Sequence, residues 1–277
     1  MNIQPFSKGC GALVTDVQLA TASEDQIQEI REAFIDHGVV FFRDQSLTPE
    51  QHLAFARRIG DIVVNKFFMA LPGFPEIAEV GKQKEQKMNI GGGWHTDHSY
   101  DAEPALGSIL VARTLPERGG DTWFANLAAA YDALPGELRQ KLEKLQARHS
   151  NRHIYGEDGF YAQTDLADRL NGQDSVGEAT HPVVIVHPES GRKILYVNPA
   201  FTVGIEGMEK AEARELLDQL YKHAVKDEFV CHFNWEPGSV ALWDNRSTWH
   251  FAQNDYQGKE RMMHRITLAG GSLAKAA

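Results

Sequence analysis

Apolar positions in this 277-residue chain follow a helical rhythm near the start and a strand rhythm later. Ile27, Ile30 and Phe34 lie at helical spacing behind Ser23 and Gln26, a capping-box pair, and Gly38 stops the run. Val39-Val40-Phe41-Phe42 is uninterrupted apolar sequence and predicts a buried strand. Thr48-Pro49 with Gln51 opens a second helix ending at Gly60. From about residue 105, short apolar runs between turns predict strands over Ser108–Ala112, His181–Val186, Ile194–Val197, Glu228–Phe233, Val240–Trp243 and Arg265–Leu268. Helices are predicted at Leu127–Ala133, Gly136–Arg148 and Met208–Ala224, the middle one carrying Leu138, Leu142 and Leu145 on one face. This mixture reads as an α+β chain built on an antiparallel barrel or sandwich.

No internal repeat, low-complexity tract or flexible linker divides the chain, so residues 1–277 read as a single domain. Two segments look like lids. Residues 81–93 combine a run of lysines and glutamines with the triple glycine Gly91-Gly92-Gly93, and residues 151–179 are polar and weakly patterned.

Composition narrows the function classes. A hydrophobic content of 42% supports a packed core, and a net charge of −10 without any basic run argues against binding nucleic acid. The first residues lack the charged region and apolar core of a signal peptide, and no stretch approaches 18 apolar residues, so a soluble, cytoplasmic protein without membrane association is expected. Cys10 and Cys231 are too few for a disulfide framework or a Cys-rich zinc site and read as reduced, Cys231 as a small buried thiol.

The chemistry concentrates in His95-Thr96-Asp97, a distant His250, and Arg261 and Arg265 beyond it. A histidine and a carboxylate two residues apart on an extended segment point to one side and can grip one ion. A single further histidine completes a facial triad that leaves positions open on non-heme Fe(II). Zinc could use the same donors, but an arginine eleven residues past His250 suits a carboxylate-bearing cosubstrate and tips the reading to iron.

Five blocks extend the pattern: Gly93-Trp94-His95-Thr96-Asp97, Gly119-Gly120-Asp121-Thr122, Leu195-Tyr196-Val197-Asn198, Trp243-Asp244-Asn245-Arg246 and Met263-His264-Arg265. In order and spacing they resemble the Fe(II)/2-oxoglutarate-dependent dioxygenases of the taurine dioxygenase and aryloxyalkanoate dioxygenase family, from about residue 5 to 270. The resemblance implies a double-stranded β-helix (jelly-roll) core with flanking helices and iron held by His95, Asp97 and His250. It also implies 2-oxoglutarate and O₂ as cosubstrates. Arg261 would take the distal carboxylate with Thr122 donating a hydroxyl hydrogen bond, and Arg265 would lie near the other carboxylate or an anionic substrate. His98 reads as a residue of the pocket or just behind the ligands.

The implied reaction is hydroxylation of a small organic acid (a sulfonate, sulfate, aryloxy or other carboxylate), with formation of succinate and CO₂. Aligned with taurine dioxygenase, Asn65 and Phe68 stand where that enzyme binds sulfonate through a histidine and a tyrosine, and Gly91 stands where an asparagine is expected. Taurine itself is therefore disfavoured, and a roomier apolar pocket is expected. Relatives commonly form dimers or tetramers, so a homo-oligomer is expected. A jelly-roll protein that binds a small molecule without turnover is the reading from a different class.

Overall fold

The computed structural model describes residues 1–167, 170 and 176–276. Both N-terminal helices form where their caps predict. Ser23 and Gln26 exchange hydrogen bonds around the start of Glu24–His37, Thr48 and Gln51 do the same for Pro49–Ile59, and each cap contributes about 1 kcal/mol.

Before, between and after them in the chain runs the largest sheet, nine strands of mixed pairing. Along its main path lie Asn2–Pro5, Ala12–Thr15, Val39–Phe42, Val240–Asp244, Gly107–Thr114, Arg261–Leu268, Phe74–Lys82 and Ala70–Leu71, with Ile62–Val63 pairing separately to Arg261–Leu268. Strand alternation splits its side chains between two cores. Val40, Phe42, Ile109, Val111, Leu242 and Ile266 face the helices, meeting Ile27, Ile30, Phe34 and Phe55. Val39, Phe41, Leu110, Trp243 and Met263 face the other way, against Phe124, Cys231 and Phe233 of a three-stranded sheet. Burial on both faces explains why residues 39–42 read as an unbroken apolar run.

That smaller sheet orders Val230–Phe233, Thr122–Asn126 and Thr248–Ala252, all antiparallel. Two further three-stranded sheets complete the described strands: Glu178–Pro182, Gln146–Ser150 and Thr202–Ile205, and Lys193–Leu195, Val184–Val186 and Ala274–Lys275.

The expected double-stranded β-helix, a closed jelly-roll barrel, is corrected by this topology. No hydrogen-bonded ladder passes between the four sheets among the described residues, and the largest ends in two open edges. It is also mixed, because Ala12–Thr15 runs parallel to Val39–Phe42 after a helical crossover. The fold is α+β, with a mixed-sheet core and flanking helices.

Other differences are local. The helix expected over Gly136–Arg148 stops at Leu142, and Gln146–Ser150 is a strand paired on both sides. Cys10 and Cys231, far apart in sequence, are free buried thiols with their Sγ atoms 3.2 Å apart. Of the expected lid segments, 81–93 starts inside the strand Phe74–Lys82, and residues 168–169 and 171–175 of the other lie outside the described residues. No described helix is long and apolar enough to cross a membrane.

Two buried histidines give the fold a pH dependence. Burial, with the Arg113 and His264 charges behind it, pulls His52 down to about 3, and burial with His181 does the same to His149. Both are neutral when folded and regain an ordinary value near 6.5 on unfolding. Between those limits the unfolded chain binds more protons, so stability falls as pH falls. The urea midpoint is predicted to drop from pH 7 to pH 4.5, and His52→Leu or His149→Gln should flatten that slope; the same slope in both variants would contradict this origin.

Candidate metal centre

Strand pairing brings the three candidate ligands together. His95 and His250 form an isolated antiparallel bridge, exchanging N–H···O=C bonds of 3.1 and 2.8 Å, which sets their imidazoles side by side with ring centroids 4.1 Å apart. Past His95 the chain turns, and the Thr96 hydroxyl donates to the Asn245 carbonyl. Asp97 is thereby placed beside both rings, its carboxylate oxygens 3.6 Å from His95 Nε2 and 3.5 Å from His250 Nε2. Donor atoms of His95, Asp97 and His250 all lie within 4.8 Å of one another, and no other such group occurs among the described residues.

The electrostatics prepare these donors. Burial opposes the charge on Asp97, yet Arg265, followed by His250, His95 and His98, outweighs it and holds the carboxyl far below the usual range. Arg265 Nη2 donates to Asp97 Oδ2 at 2.6 Å and to Ser108 Oγ at 2.7 Å. Burial, with His95 and Arg265 assisting and Asp97 opposing, pushes His250 well below its ordinary value and keeps it neutral. His95 Nδ1 lies 2.7 Å from the Gly93 carbonyl and can donate only as N–H, which turns the Nε2 lone pair toward the site. A carboxylate and two imidazoles at these separations, on one side of a cavity, fit a divalent ion.

Arg261, Met263 and Arg265 share one face of their strand and point toward His250 and Thr122, which share the facing side of the small sheet through the pairs His250↔Phe124 and Ala252↔Thr122. Arg261 is 6% exposed and has no carboxylate within salt-bridge distance among the described residues. Its Nη2 reaches Thr122 Oγ1 at 3.5 Å, and its Nε is buried without a partner. Burial draws its pKa down, with Tyr256 and Asp121 opposing. Trp235 Nε1 donates to Thr122 at 2.9 Å, fixing that hydroxyl. Gly120, at φ +74°, packs directly on the arginine stem, 3.0 Å from Arg261 Cδ to where a Cβ would sit. A buried guanidinium left with a free fork is a site for a planar anion.

An inner cavity of about 50 Å³ is lined by the triad, Thr122, Arg261 and Arg265, with Phe68 and Tyr155 in its wall. It adjoins an outer cavity of about 390 Å³ lined by Trp94, Tyr155, Phe160, Tyr161 and Phe201 and by the glycines 91 to 93. Asn65 and His98 line neither. Asn65 Oδ1 accepts the backbone N–H groups of Phe67 and Phe68, and His98, at φ +60°, pairs with Asp101 at 2.9 Å. Tyr155, Phe160 and Tyr161 were not anticipated as site residues; their density of rings in a segment without periodicity is the signal that could have found them.

Residues 2–267 match the model of the taurine catabolism dioxygenase TauD, TfdA family. The chain belongs to this family. It is 37% identical over 275 residues, 98% of this chain and 85% of the relative, to an alkylsulfatase of Acinetobacter baylyi. It is 34% identical over 286 residues, 100% of this chain and 97% of the relative, to an (S)-phenoxypropionate/alpha-ketoglutarate-dioxygenase of Sphingobium herbicidovorans. Among solved structures, AAD-2 in complex with Mn(II) and N-oxalylglycine superposes with a TM-score of 0.80 at 29% identity, covering 99% of this chain and 98% of that one. The protein is an Fe(II)/2-oxoglutarate-dependent dioxygenase acting on a small anionic substrate, and His95, Asp97 and His250 hold the iron. The binding-protein reading finds no support in this family or this triad.

Asp97→Ala and His95→Ala are predicted to abolish Fe(II) binding and turnover while the circular dichroism spectrum stays that of the parent; full activity in either would refute the ligand set. Arg261→Ala should raise the KM for 2-oxoglutarate by roughly 10- to 100-fold, the loss of a charge-assisted contact. Kinetics at varied 2-oxoglutarate check this, and a change confined to the organic substrate's KM would reassign the residue.

Proposed function

We propose that this dioxygenase oxidises a sulfate ester or an aryloxyalkanoic acid, hydroxylating the carbon that bears the ester or ether oxygen. The observation that carries this reading is the division of the site: its outer cavity is walled by Trp94, Tyr155, Phe160, Tyr161 and Phe201 with no lysine or arginine among the described residues that line it, while both arginines line the inner one. A substrate with an anionic head and an alkyl or aryl tail matches that division. The alkylsulfatase and phenoxypropionate dioxygenase among its relatives act on molecules of this shape.

When bound, iron with 2-oxoglutarate and O₂ supplies the oxidation, in which one oxygen atom goes to succinate and the other to the substrate carbon. Arg261 and Thr122 take the distal carboxylate of 2-oxoglutarate, the guanidinium offering two parallel donors and the hydroxyl a third. Arg265 keeps Asp97 ionised, and its charge in the inner cavity would attract the substrate's anionic head. The aromatic wall orients the tail and excludes water. Hydroxylation next to oxygen gives a hemiacetal-type product that collapses to an aldehyde and the released sulfate or phenol. The overall balance is R–CH₂–O–X, 2-oxoglutarate and O₂ giving R–CHO, HO–X, succinate and CO₂.

Phe68 in the inner wall and glycine at position 91 remove the polar contacts that a compact sulfonate would use. Anaerobically purified protein with Fe(II) and 2-oxoglutarate should therefore form succinate about tenfold faster with hexyl sulfate or phenoxyacetate than with taurine, the discrimination expected of an apolar pocket. Taurine as the best of the three, or no stimulation by any, would overturn the assignment.

A further inference from the structure

The segment Arg152–Ala167 and the loop 86–93 are stitched together. The Asp165 carboxylate accepts the backbone N–H groups of Lys87 at 2.5 Å and Met88 at 3.3 Å, and the Gln86 side chain donates to the Asp165 carbonyl at 3.0 Å. Four residues earlier, the Tyr161 hydroxyl accepts the Gly91 N–H at 3.0 Å.

Gly91 is the point where this stitching reaches the ligands. Its carbonyl accepts the N–H of Ala252, two residues past His250, at 2.9 Å. Its φ is +77°, and a Cβ there would sit 3.2 Å from His95 Cε1, so its bare backbone forms the back wall of the imidazole. Asn89 adds a bond from its side-chain amide to the Ala252 carbonyl at 2.9 Å. From below, Lys82 Nζ donates to Asn254 at 2.7 Å and Gln257 at 3.1 Å, and both amides donate to the Lys87 carbonyl.

The same Tyr161 presents its ring to the outer cavity. It stacks on Tyr155 with centroids 5.5 Å apart, and Tyr155 stacks on Phe67 at 4.6 Å. Phe160 beside it is 48% exposed at the mouth. A tail packed on these rings is one hydroxyl and one peptide away from His95.

We propose that Tyr161 is a positioning residue for the iron ligand His95, and that Tyr161 and Asp165 join the two segments into one flap through which occupancy of the outer cavity fixes that imidazole. The occupancy rests on the substrate reading above; the joining of the segments does not. Tyr161→Phe keeps the ring and removes the acceptor, and Asp165→Ala removes the second stitch.

Hydrogen exchange followed by mass spectrometry on the metal-free protein tests the joining. Tyr161→Phe should speed exchange in the peptide containing Gly91 by about 3- to 10-fold, the loss of one hydrogen bond, and Asp165→Ala should speed it in both 86–93 and 158–167. Unchanged exchange at Gly91 in Tyr161→Phe, or acceleration confined to 158–167 in Asp165→Ala, overturns the flap.

The loaded enzyme tests positioning with hexyl sulfate and phenoxyacetate as probes. In Tyr161→Phe the ratio of oxidised product to succinate should fall about threefold or more while the KM for 2-oxoglutarate stays that of the parent. An unchanged ratio, or a loss that scales every parameter together with a lower Tm, assigns Tyr161 a structural role only and overturns the proposal. Should neither probe stimulate succinate in the parent, the substrate reading fails, and the exchange comparison still decides the flap.

Discussion

The site depends on one carboxylate that is taken out of water and kept charged. Asp97 stays an anion because Arg265 stands 2.6 Å away, with the two ligand histidines beside it adding to the effect. Leaving such a group without its partner costs about 3–5 kcal/mol. Arg265 is held in turn by Ser108 and lies over the Trp243 ring at 5.4 Å. Trp243 donates to the Asn245 side chain, and the Asn245 carbonyl accepts the Thr96 hydroxyl beside Asp97. The circle closes on itself, so carboxylate, guanidinium and indole fix one another.

Other residues of the family's blocks, and a few outside them, serve this circle without lining the cavity. Asp244 and Arg246 form a buried ion pair that His187 completes, anchoring the turn before His250. Asn198 donates to Ser99, two residues past Asp97, and accepts the N–H of Phe201. Gly120 gives Arg261 room, and Trp235 aims the hydroxyl of Thr122. The chemistry is carried by few groups, and a larger set of buried hydrogen bonds decides where they point.

How much of this could be read from the chain follows from how local each signal is. The two capped helices and the strand of residues 39–42 were legible because caps and apolar runs act over a few residues. Gln146–Ser150 was hidden because Leu138, Leu142 and Leu145 continue a helical rhythm up to it, and only pairing with two distant strands makes it extended. Thr248–Ala252, which carries His250, holds its shape through Thr122–Asn126, again a distant partner. Barrel closure is a property of strand pairing, and short apolar runs do not encode it. The ligand triad was legible from residue type and spacing, and the two arginines named with it line the same inner cavity. Asn65 and His98 were harder, because their partners, the backbone of residues 67 and 68 and the carboxylate of Asp101, satisfy them locally. The aromatic wall at residues 155–161 follows no period, so its role emerges only where it meets the triple glycine.

Visible absorption of the anaerobic Fe(II)-loaded protein during titration with 2-oxoglutarate tests the centre most directly, since chelation of a 2-keto acid to ferrous iron produces a charge-transfer band. A band that saturates at one 2-oxoglutarate per chain and vanishes in Asp97→Ala is the expected result. No band at saturating cosubstrate, or an undiminished band in Asp97→Ala, would contradict a ferrous centre built on His95, Asp97 and His250.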